Sequence, residues 1–107
     1  MRKTRPPLLL AGLLAAAATL PAHAGPDEAL NKAGCVACHA QDKKLVGPAF
    51  KDIAAKYRGQ KDAAVPLADK VRKGGKGVWG PIPMPANGPD KISDAELKAA
   101  LDWMLAL

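Results

Sequence analysis

Residues 34–39 read GCVACH: two cysteines three positions apart, two small residues between them, and a histidine directly after the second. Three chemistries use such a pair, namely a redox-active dithiol, half of a zinc site and a covalent haem anchor. Each needs different surroundings, so deciding among them decides the fold.

Upstream of the motif, Met1-Arg2-Lys3-Thr4-Arg5 leads into an apolar run from Leu8 to Leu20 and then Ala22-His23-Ala24. A cationic start, a short apolar stretch and an A-x-A end are the layout of a secretory signal peptide. The run is shorter than the roughly 20 residues a membrane-spanning helix needs. There is no Arg-Arg pair, which favours general export over the twin-arginine route. Residues 1–24 are therefore expected to be a cleaved leader that exports the chain, and residues 25–107 a single mature domain of 83 residues.

The chain carries 16 basic and 10 acidic residues, a formal charge of +6. Arg2, Lys3 and Arg5 leave with the leader, which reduces it to 13 against 10, or +3. With only Phe50, Tyr57, Trp79 and Trp103 as aromatics and no Arg-rich cluster, the composition gives no sign of a nucleic-acid interface. Much of the mature apolar content is alanine, so a core of side chains alone would be thin. Chains only slightly shorter, below about 70–80 residues, usually add a staple. A disulfide between positions 35 and 38 would close a trivial loop and constrain little. Something larger is expected to fill the middle.

The mature segment reads as helical. Pro26-Asp27-Glu28 starts a short helix that Gly34 ends. Residues 49–57 place Phe50, Ile53, Ala54 and Tyr57 on one face, and residues 66–73 form another short helix stopped by Gly74-Gly75. Ser93 and Glu96 make a capping box, Ile92 and Leu97 the accompanying staple, and Leu97, Ala100, Leu101, Met104 and Leu105 an apolar stripe flanked by Trp103. Residues 74–90 are too rich in Gly and Pro to be anything but loop. No two-residue alternation stands out, so the expected class is all-α, with four to five short helices.

A zinc site needs four ligands, and the mature chain has two cysteines and one histidine, with Cys35, Cys38 and His39 too crowded to share one tetrahedral ion. A thioredoxin-like dithiol sits at a helix N-terminus beside a β-α-β sheet, whereas here the motif follows a helix and no strands are in sight. C-x-x-C-H as a whole reads as c-type haem attachment. Each thiol adds to a vinyl group of the porphyrin, one helical turn bridges the two, and His39 follows as an axial ligand of the iron. Export agrees with this, since c-type haem is attached outside the cytoplasm in bacteria.

The sixth ligand then separates a carrier from an enzyme or gas sensor. No second histidine remains, and the sulfur candidates are Met84 and Met104. Met104 lies on the apolar stripe, where methionine usually packs. Met84 sits in WGPIPMPAN among Pro81, Pro83 and Pro85, a stiff loop that presents its side chain with little entropy left to lose. Met84 is the expected ligand, and a haem enzyme or sensor with a labile sixth position is the alternative.

GCVACHAQDKKLVGPAFKDIAAKY and KGVWGPIPMPANG resemble the class I c-type cytochromes of bacteria, and among them the cytochrome c-551 (cytochrome c8) group, over essentially the whole mature chain. The resemblance implies a monomeric α-helical fold around one haem c. It also implies a periplasmic electron shuttle, not an enzyme, between a cytochrome complex as donor and a terminal reductase or oxidase, such as a nitrite reductase, as acceptor. By the same resemblance Pro48 offers its carbonyl to Nδ1–H of His39, Trp79 donates to a haem propionate, and Asn87 hydrogen-bonds near the Met84 sulfur. Lys70 falls where the group carries a basic residue near a propionate, although a solvated lysine is the simpler reading. Leu30 departs from the pattern, standing where an aromatic partner for Trp103 is expected, at a cost on the order of 1 kcal/mol. Lys43, Lys44, Lys56, Arg58, Lys61, Lys70, Arg72, Lys73 and Lys76 outnumber nearby acids and would steer acidic partners if they ring the haem edge.

Overall fold

The computed structural model describes residues 25–107, together with Thr4, Pro7 and residues 11–17. The A-x-A end of the expected leader lies outside the described residues. Leu13 and Leu14, which are described, are 95% and 97% exposed and add nothing to the core.

Four helices and one 3-10 turn make up the regular structure: α1 (Pro26–Lys32), the turn Cys35–Ala37, α2 (Phe50–Tyr57), α3 (Ala64–Lys73) and α4 (Asp94–Leu105). Among the described residues no strand forms, only the isolated bridges His39 to Lys44 and Gly75 to Met84. The all-α expectation holds. α3 begins two residues earlier than its periodicity indicates, because Pro66 occupies the third helical position, where no backbone N–H is needed.

α4 is the hub, packing against α1, α2 and α3. Its start is held by the capping box, with Glu96 N–H donating to Ser93 Oγ (3.1 Å) and Ser93 N–H to Glu96 Oε1 (3.0 Å). Ile92 and Leu97 are both buried in the core, as a staple requires. The stripe Leu97, Ala100, Leu101 and Met104 meets Ala29 and Leu30 of α1, Phe50 and Ile53 of α2, and Leu67 of α3. Trp103, whose partner was expected on α1, instead takes the edge of Phe50, with ring centres 6.2 Å apart and planes at 79°. Leu30 thus leaves no aromatic contact unmade at Trp103.

Candidate functional site

Between the N-terminal motif and the proline-rich loop lies a cavity of about 240 Å³. Its walls are largely apolar, with Leu30, Phe50, Ile53, Leu67, Leu97 and Leu101 among them. Cys35, Cys38, His39 and Met84 all border it.

Local hydrogen bonding places the first three. The carbonyl of Cys35 accepts from both Cys38 N–H (3.2 Å) and His39 N–H (3.0 Å), so one tight turn carries both sulfurs and the imidazole. No disulfide joins the two cysteines. Burial pushes the Cys35 thiol above its ordinary value of 9.0, against a hydrogen bond from its own backbone and with a smaller push from Cys38. A nucleophilic dithiol is activated by the opposite shift. Among the described residues no three His, Cys, Asp or Glu side chains are grouped as a bare metal site needs.

His39 is fixed from three sides. Its Nδ1 lies 2.7 Å from the carbonyl of Pro48. A carbonyl can only accept, so Nδ1 carries a proton, which in the neutral ring leaves the lone pair on Nε2. Phe50 stacks on the ring, with centres 5.5 Å apart and planes at 18°. Gly47 closes the third side: a Cβ there would stand 2.5 Å from Cε1 of the imidazole. The loop is cinched by Gly47 N–H to Cys38 O (2.8 Å), and α2 begins by donating from Phe50 and Lys51 to the carbonyls of Ala40 and Gln41 (2.9 and 3.1 Å).

Met84 is held by backbone pairing. Met84 N–H donates to Gly75 O (2.8 Å), and Gly75 N–H to Met84 O (3.1 Å). Gly74 makes the approach possible, since it adopts φ 72° and a Cβ there would be 2.5 Å from Met84 O. Met104 also borders the cavity, but from within the packed stripe of α4. Asn87 is buried, and its side-chain amide donates to Pro85 O (3.0 Å). The side-chain amide thus engages the loop backbone one residue beyond Met84.

Two unbridged cysteines, an imidazole and a thioether around one apolar cavity are the donor set that covalent haem requires. Residues 27–107 match the family model described as Cytochrome c. The chain belongs to the cytochrome c family. It is 49% identical to the cytochrome c-551 of Pseudomonas aeruginosa over 81 residues, 76% of this chain and 75% of that one. Identity to the cytochrome c-552 of Nitrosomonas europaea is 55% over 76 residues, 71% of this chain and 72% of the relative. The crystal structure of wild-type Nitrosomonas europaea cytochrome c552 superposes with a TM-score of 0.69 at 51% identity, covering 75% of this chain and 96% of that one. This is a class I c-type cytochrome close to cytochrome c-551, an electron carrier with one covalently attached haem c.

Other expected residues of the cytochrome find definite places. Trp79 is 43% exposed at the cavity border, with Lys56 Nζ 5.6 Å from its ring centre, a cation–π contact reaching from α2 to the loop. Lys70 is exposed, borders the cavity and lies over Gly75, its Nζ 2.8 Å from where a Cβ would be. Arg72 was grouped with the steering cations, yet it turns inward to bond Asn87 O, Ile92 O and Asp94. Gly47, Gly74 and the fork of Arg72 escaped the sequence reading. The only trace of them there is a glycine beside Pro48, a Gly-Gly pair after α3 and a basic helix end.

Proposed function

We propose that this cytochrome is a periplasmic one-electron carrier in which Cys35 and Cys38 hold haem c as thioethers and His39 and Met84 are the axial ligands of its iron. The observation that carries the reading is that one cavity is bordered by all four side chains, drawn from two segments far apart in the chain. Bound haem supplies an iron that accepts and returns one electron. The protein's task is to keep the ligands still. Pro48 holds the His39 proton on Nδ1, which leaves Nε2 to ligate and fixes the plane of the ring. Pro83 and Pro85 set φ on either side of Met84, and the two bonds to Gly75 fix its backbone, so the thioether is pre-organised. Ligands that shift little between oxidation states favour rapid transfer. Asn87 serves the site by stiffening Pro85, and Trp79 donates its indole N–H to a propionate.

Residues 1–24 act as the leader that delivers the chain to the periplasm. No helix among the described residues is long and apolar enough to cross a membrane. The partners are redox proteins: a cytochrome complex as donor, and a terminal reductase such as nitrite reductase, or an oxidase, as acceptor. Carbon monoxide separates a carrier from an enzyme or sensor. The reduced protein at neutral pH is expected to bind it only slowly, because Met84 must leave first, and rapid binding would establish a labile sixth position instead.

A further inference from the structure

One side chain outside the ligand set gathers the segments that follow the Met84 loop. Arg72, in the last turn of α3, has a side chain only 20% exposed. Its Nη1 donates to Ile92 O (2.8 Å) and Asn87 O (3.2 Å), and its Nη2 to Asp94 Oδ1 (2.6 Å). Ile92 lies just before the cap of α4, and Asp94 is that helix's first residue. Asn87 N–H returns to Val71 O (2.9 Å), next to Arg72 in α3. The entry to the loop is secured separately, by the Gly75–Met84 pair.

We propose that Arg72 is a positioning residue for Met84, acting as the clasp on the exit of its loop. The inference rests on reading Met84 as a ligand. A swing of residues 84–87 away from α3 would carry the thioether off the iron, and Arg72 opposes that motion through the Asn87 carbonyl while anchored on Ile92 and Asp94. A guanidinium presents its donors in a rigid planar fork that can serve all three acceptors at once. The ammonium of a lysine lacks that fork, so charge alone does not reproduce the clasp.

The test is imidazole binding to the oxidised holoprotein, where uptake is limited by departure of Met84. Arg72→Ala is expected to bind imidazole roughly tenfold faster, equivalent to about 1.4 kcal/mol. Its sulfur-to-iron absorption band should also disappear at a lower temperature than its helical circular dichroism. Arg72→Lys should resemble Arg72→Ala, and Asp94→Asn should move the rate in the same direction by less. Lys73→Ala, which loses only an exposed ion pair with Asp69, should leave it unchanged. Wild-type protein brought by urea to the stability of Arg72→Ala distinguishes clasp from general support. If it binds imidazole as fast as the variant, or if both Arg72 variants bind at the wild-type rate, the clasp is refuted. A wild type without the sulfur-to-iron band would instead refute the Met84 ligand and the clasp with it.

Discussion

At Gly47 the distance between an added Cβ and the His39 ring, 2.5 Å to Cε1 and 3.0 Å to Nδ1, leaves no room for a side chain. The Gly47→Ala variant must push the imidazole or the loop aside and so strain the bond to Pro48. A loss of about 1–3 kcal/mol, the range for overpacking, is expected in urea unfolding of the holoprotein. An unchanged midpoint would show that the ring has space to spare. Residues at this scale were unequally legible. Cys35, Cys38 and His39 announce themselves because their chemistry depends on adjacency in the chain, and Met84 because prolines surround it. Gly47 and Arg72 do not, since their roles come from contacts across loops and between helices. A glycine in VGPAF reads equally well as a turn, and an arginine late in a helix reads as a solvated charge.

Among the elements, α4 was the most fully written in local sequence, because a capping box and staple act over a few residues. Its cap also makes a pH-dependent contribution. Hydrogen bonds from the Ser93 backbone and then its side chain hold the Glu96 carboxyl below its ordinary value of 4.5. A depressed value in the folded state means stabilisation that is complete above 4.5, declines as the pH falls below it, and vanishes below the folded-state value. Thermal unfolding followed from pH 7 down to about pH 3 should therefore converge for wild type and Glu96→Gln as acidity rises. A constant gap between them would remove the carboxylate from the cap's account. The partner of Trp103 was not legible, because a T-shaped contact between α2 and α4 depends on how the helices cross. The early start of α3 was missed for a simpler reason: a proline looks like a first residue, although any of the first turn's positions suits it.

For the whole molecule, a core mainly of leucine, isoleucine, phenylalanine and methionine side chains borders a cavity that the motif at residues 34–39 and the proline-rich loop further along the chain close from two sides. Lys44, Lys70 and Lys76 stand at its border beside the exposed Val46, Val78, Trp79 and Ile82. Lys51, Lys73 and Lys98 are instead paired with Asp42, Asp69 and Asp102. Electron transfer to an acidic redox protein should slow as salt rises past about 0.1 M, where the screening length is about 10 Å. Lys76→Glu should slow it several-fold at low salt and Lys98→Glu hardly at all in stopped-flow measurements, and equal effects would remove the cavity mouth as the docking face. The account as a whole stands on His39 and Met84 gripping one covalently held haem iron. The absorption spectrum of the oxidised holoprotein tests this most directly. A low-spin c-type spectrum with the sulfur-to-iron band, lost in Met84→Ala and kept in Met104→Leu, is the expected result. A band that survives Met84→Ala, or is absent from the wild type, would contradict it.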